Sequence, residues 1–197
     1  MSDSLDKLDV ARIVRRAGHM LAESLWEYWP SKGNNEMPER NISMQLAIAF
    51  HEKGFKCFSE AHWKQEGDHR KLDLLAVHPG SKDAVCIECK RLYSAEKCGS
   101  MLEDVERIRS FVPLDDGVQY TPRFGVLACS TWNNNIAEWW STSYAAPPTN
   151  KEEWNNLIDA LGEKSHWGSV PLSSYDEAAK EKQLQHHMLY IVFPIPL

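Results

Sequence analysis

The chain has 197 residues, 43% of them hydrophobic and 25% charged, and a formal net charge of −6. That length suits one domain, 1–197, with extensions at its ends, and the composition is that of a soluble globular chain. No apolar run reaches the length of a membrane span, so no membrane partner is expected, and the acidic total is not that of a coat binding nucleic acid by charge alone.

The first residues, Met1 to Lys7, lack a basic stretch followed by an apolar one, so no secretory signal is read and the cytoplasm is the expected location. Ser4 to Trp29 reads as a long helix, within an N-terminal helical segment 1–30. Leu5, Leu8, Ile13, Ala17, Met20, Leu21, Leu25 and Tyr28 recur at helical spacing. The helix is expected to pack on the core or on a second subunit, and Pro30 ends it. A second helix is predicted from Pro38 to Lys53, with Ile42, Leu46, Ala49 and Phe50 inward. Glu39 lies three residues before Ile42 and shares that face. Its plain role there is to complement the helix dipole.

Phe55 to Glu60 reads as a short strand, with Glu60 a strand-end charge or an added ligand. Lys71–Val77 and Ala84–Lys90 read as two adjacent strands joined by the breaker-rich turn His78-Pro-Gly-Ser-Lys-Asp83. Gly99 to Val112 is predicted helical, with Leu102, Val105, Ile108 and Val112 inward. Arg123 to Cys129 is an apolar strand. Further on, Asn134–Ser141 is read as a helix carrying Trp139 and Trp140, and 145–148 as a linker. A capping box at Thr149-Asn-Lys-Glu152 opens a helix through Leu161. His187 to Phe193 is a last strand, ended by Pro194.

Acids in the middle of apolar strands need a reason, because an unpartnered buried carboxylate is costly. Pairing Val77 with Ala84 across the turn places Asp73 opposite Glu88, on one face and roughly 5 Å apart. Lys90 shares that face because it is two residues beyond Glu88. A slip of one residue would separate the two acids. Set against this pair, Lys90 offsets one charge, and with Glu39 two negative charges stay unbalanced, which a divalent cation such as magnesium would cancel. The plain alternative is a cross-strand ion pair between Asp73 and Lys90 with Glu88 exposed.

Cys86 and Cys89 form a C-x-x-C pattern, but alternation sends them to opposite faces, and they are read as structural thiols. Lys64, Arg70, Lys71, Lys82, Lys90, Arg91, Lys97, Arg107 and Arg109 are read as a basic rim around the acids.

The order helix, three strands, helix, strand carries an acid on the second strand, Glu-x-Lys on the third, and a glutamate in the first helix. In this the chain resembles the PD-(D/E)xK nuclease superfamily, over about residues 38–129. Leu72 stands where the superfamily's name expects proline. The resemblance implies an α/β fold: a restriction-endonuclease-like αβββαβ core, its mixed central sheet flanked by helices. The N-terminal helix and a helical and strand extension over 130–197 lie outside it.

It also implies a magnesium-dependent endonuclease, with manganese as a substitute ion, hydrolysing phosphodiester bonds of DNA in a restriction, defence or mobile-element setting. Asp73 and Glu88 would hold one or two metal ions with the Cys89 carbonyl, Glu39 would bind a second metal or a metal-bound water, and Lys90 would orient the nucleophilic water or stabilise developing charge. Arg91, Lys97 and Arg107 would contact phosphates, and a homodimer is expected. The competing expectation is a catalytically silent, nuclease-like binding module, or a subunit acting with a protein partner. The tryptophans Trp139 and Trp140 favour an interface role.

Overall fold

A computed structural model describes residues 5–27, 38–62, 71–112, 120–141, 147–172 and 185–196. The elements are α1 (Lys7–Glu27), α2 (Glu39–Glu52), β1 (Lys56–His62), β2 (Lys71–Val77), β3 (Asp83–Arg91), α3 (Ala95–Arg109), β4 (Thr121–Thr131), α4 (Asn134–Ser141), α5 (Glu152–Leu161), β5 (His166–Leu172) and β6 (His186–Pro194). The fold is α/β: one mixed six-stranded sheet in the order β1-β2-β3-β4-β6-β5, in which β3 and β4 run parallel and every other pair is antiparallel. Among the described residues no helix is long and apolar enough to cross a membrane.

Strand alternation divides the core in two. Val85, Ile87 and Cys89 of β3 face α1 and α2, together with Val126, Ala128, Val192 and the inward residues of both helices. Cys86 faces α3, α4 and α5, with Leu127, Cys129, Ile191 and Phe193. The two thiols of the C-x-x-C pattern therefore lie on opposite faces. All five cysteines are free, and burial pushes the Cys86 and Cys89 thiols up. α1 lies on the core through Val10, Val14, Ala17, Leu21 and Leu25, while Leu8, expected inward, is exposed. The predicted ends of that helix at Ser4, Tyr28 and Trp29 fall outside the described residues.

The β2–β3 turn sets the register. His78 N–H donates to the Asp83 carbonyl at 2.9 Å, Lys82 N–H to the His78 carbonyl at 2.9 Å, and Ser81 N–H to His78 Nδ1 at 3.1 Å. The resulting pairing is Val77↔Ala84 through Leu74↔Ile87, the expected register, and it stops one residue short of Asp73 and Glu88.

Three expectations are corrected. α3 starts at Ala95 rather than Gly99, because the Ser94 hydroxyl accepts the Lys97 N–H at 3.3 Å and caps the helix. α5 does not open on a capping box: Lys151 occupies the cap position, and Thr149 Oγ1 instead accepts the Trp154 indole N–H at 2.9 Å. The region read as an extension beyond the core joins the same sheet in its described residues: β6 pairs with β4 along its length and β5 closes that side. β5 contains Gly168 and Pro171, which obscure a strand in sequence, and proline is tolerated on a sheet edge. The linker read at 145–148 lies partly outside the described residues.

Gly125 lets β4 approach its neighbours closely. A β-carbon there would collide with the Phe193 ring and sit 2.7 Å from Ile108 Cγ2. Gly125→Ala is expected to cost about 1–3 kcal/mol through overpacking. Urea unfolding should show a lower midpoint with an unchanged slope.

Candidate active site

The site forms where β2 and β3 part. The β1–β2 pairing passes from Ser59↔Leu74 to Ala61↔Leu72, skipping Glu60 and Asp73. Glu60 has φ 54, in the left-handed region that non-glycine residues rarely adopt. Leu72 and Leu75, three residues apart, both join the α3-side core, so strict alternation breaks around Asp73. The irregularity sits at the acid itself.

On β3, side chains take over where backbone pairing with β2 stops. The Cys89 N–H donates to Asp73 Oδ2 at 2.7 Å, and the Arg91 N–H donates to Glu39 Oε1 at 3.0 Å. Two strand donors are thus satisfied by carboxylates, as buried N–H groups must be by some acceptor.

Asp73, Glu88 and Lys90 are brought together, but not as the plain ion-pair reading has it. Glu88 is 2% exposed, and Lys90 Nζ lies 3.3 Å from Asp104 Oδ2 of α3. Arg107, one turn further along α3, bridges Glu88 Oε1 at 2.9 Å and Asp104 Oδ1 at 2.7 Å. Asp104 is fully buried, and its oxygens meet both cations at ion-pair distance without hydrogen-bond geometry. Arg107, expected among the phosphate contacts, is therefore committed to two buried acids.

The charges explain the protonation. Asp73, Glu88 and Asp104 face Lys90 and Arg107, so three acids meet two cations. Burial, then the charges of Asp73 and Asp104, then a hydrogen bond with the Asp73 carboxyl push the Glu88 pKa up to about 9, with Arg107 opposing. Burial also raises Asp104 against the pull of Lys90 and Arg107. Burial lowers Lys90, but Asp104, Glu88 and Glu39 together carry it above its ordinary value.

The remaining predicted residues surround this cluster less closely. Glu39 is half exposed, 3.9 Å from Arg91 Nε, and shares a cleft of about 710 Å³ with Asp73, Arg40 and Glu60. Cys89 contributes backbone alone, its side chain being buried in the α1/α2 layer. Lys97 lies 5.9 Å from the centre of the Tyr93 ring. The basic rim is dispersed: Lys71 pairs with Glu60 at 3.2 Å, Arg109 with Glu106 at 3.1 Å, and Lys82 sits in the turn at the opposite end of β3. Lys64 and Arg70 fall outside the described residues.

Asp104 was missed in the sequence, although it lies between Met101 and Ile108 on the inward stripe of α3. An acid on an apolar stripe was the signal. Among the described residues no group of three or more His, Cys, Asp and Glu side chains is arranged to hold a metal ion; the acids that meet are the Asp73–Glu88 pair. Compared with family models, curated proteins and solved structures, the chain matches none.

Folded Glu88 keeps its proton to about pH 9, against a reference of 4.5. The folded state then binds more protons than the unfolded state between those values, so stability falls as pH rises through that window. Glu88→Gln should remove this decline. In EDTA, the variant's unfolding free energy is expected to gain on wild type from pH 5 to 9, by at most ~1.4 kcal/mol per pH unit.

Proposed function

We propose that the chain is a metal-dependent nuclease that hydrolyses DNA phosphodiester bonds. In this reading α2, β1, β2, β3, α3 and β4 form a restriction-endonuclease-like core. The observation that carries it is the contact of Asp73 with Glu88 at the parted end of β2 and β3, with Lys90 on the same face.

Magnesium, with manganese as substitute, fits this pair of acids. Burial first, and then the negative charge of Asp73 and Asp104, raise the Glu88 pKa, and a hard cation would compensate that charge. Asp73 and Glu88 would hold the ion. The Cys89 carbonyl would join them, since N–H and C=O of one strand residue point to the same side and its N–H faces Asp73. A divalent ion supplies Lewis acidity toward phosphoryl oxygen and lowers the pKa of water, effects worth several kcal/mol.

The protein's own groups do the rest. Lys90, kept charged beside Asp104, stabilises negative charge developing on the phosphate. Arg107 fixes the Glu88 carboxyl from below. Arg91 and Lys97 serve as phosphate contacts at the rim. Glu39 holds the end of β3 through the Arg91 N–H, in place of the second-metal role expected for it.

One observation favours a binding module without catalysis. Asp73, Glu39 and Glu88 each already have a partner within the fold, in Cys89 N–H, Arg91 N–H and Arg107. Calorimetric titration with magnesium separates the readings: the nuclease gives a saturable heat that Asp73→Asn abolishes, and the silent module gives none.

For the nuclease, Asp73→Asn and Lys90→Ala are each expected to lower magnesium-dependent cleavage of plasmid and single-stranded DNA by about a hundredfold or more, equivalent to about 2.7 kcal/mol. Circular dichroism should be unchanged. Wild-type cleavage by both variants would refute the assignment.

A further inference from the structure

The loops that follow β3 and β4 leave the sheet at the same edge, because the two strands are parallel and adjacent. Open α/β sheets place their ligands at this carboxyl edge. The Leu92 N–H donates to the Ser130 carbonyl at 2.8 Å and ties the start of the first loop to the end of β4. Just beyond that bond, Tyr93 and Trp132 stack with ring centres 5.7 Å apart and planes at 20°.

At ordinary contact spacing between planes, that separation means a lateral offset of ~4 Å. Each ring then leaves part of its face uncovered by the other. Tyr93 is 39% exposed and Trp132 is partly exposed. The Lys97 ammonium stands 5.9 Å from the Tyr93 ring centre, at the start of α3. Tyr93 lies two residues past the end of β3, the strand that carries Glu88 and Lys90.

Stepped aromatic faces beside a cation are the means by which proteins hold single-stranded nucleic acid: bases stack on rings, and the cation follows the backbone. A paired duplex keeps its base faces stacked on one another and must extrude a nucleotide to offer one. We propose that Tyr93 and Trp132 form a stacking platform for unpaired bases, so that the substrate is single-stranded DNA or a single-stranded segment of it. Lys97 contacts the phosphate beside the stacked base. The proposal rests on the nuclease reading for its substrate but not for its test.

The test is fluorescence anisotropy in EDTA, with a labelled oligo-thymidylate and a labelled duplex of equal length. Wild type is expected to bind the single strand about tenfold more tightly than the duplex. Tyr93→Leu and Trp132→Leu should each weaken single-strand binding about tenfold, leave duplex binding unchanged and keep the wild-type melting temperature. Tyr93→Phe, which keeps the ring, should bind as wild type. Equal or tighter binding of the duplex, leucine variants that bind as wild type, or a Phe variant as weak as the Leu variant would each overturn the platform. Because binding is read without metal, an inactive Asp73 and Lys90 site leaves this result standing, and a failed platform leaves the cleavage result standing.

Discussion

The ion cluster at the end of β3 joins two strands of the sheet to α3, the helix packed on one face of it. Asp73 comes from β2, Glu88 and Lys90 from β3, and Asp104 and Arg107 from α3. With Glu88 protonated the inner group is neutral, and with Glu88 ionised it carries one excess negative charge in a desolvated place. Repulsion and burial therefore act in the same direction on Glu88. Such a cluster is poor evidence for stability, since desolvation offsets much of the attraction among buried ions. A divalent cation bound there, as proposed, would offset that excess charge.

The same region gives up regular strand pairing. Glu60 adopts a left-handed backbone, the Glu60–Asp73 pair is absent from the β1–β2 ladder, and β3 offers its last N–H groups to carboxylates. Irregularities of this kind re-aim side chains and recur near active sites. They also assign each acid two roles. Asp73 closes a gap in the sheet and faces Glu88; Glu39 anchors Arg91 and lines the cleft. Tyr93 and Trp132, just past the ends of β3 and β4, stack on each other at the same edge of the sheet.

Much of this was legible in the sequence, for physical reasons. The His78-to-Asp83 turn fixes the register from Val77↔Ala84 to Leu74↔Ile87, and Asp73 meets Glu88 just past the end of that ladder. The Cys86 and Cys89 side chains separate by strand alternation. What escaped depended on partners distant along the chain. Asp104 is hidden in sequence among the apolar residues of the α3 stripe, and Arg107 resembles a surface cation until folding brings Glu88 of β3 beside it. β5 stayed hidden because Gly168 and Pro171 break the pattern of a strand that needs only an edge position.

The position of β6 bears on how the chain reaches this state. β4 is the apolar middle of the sheet, and the strand that covers its second flank follows α4, α5 and β5 in the chain. During synthesis β3 can pair with β4 as soon as both have emerged, but the other margin of β4 stays open until β6 arrives. An unpaired apolar margin is a template for wrong partners. The nascent chain thus passes through a window of self-association that closes when β6 pairs with β4, and chaperone demand should concentrate there.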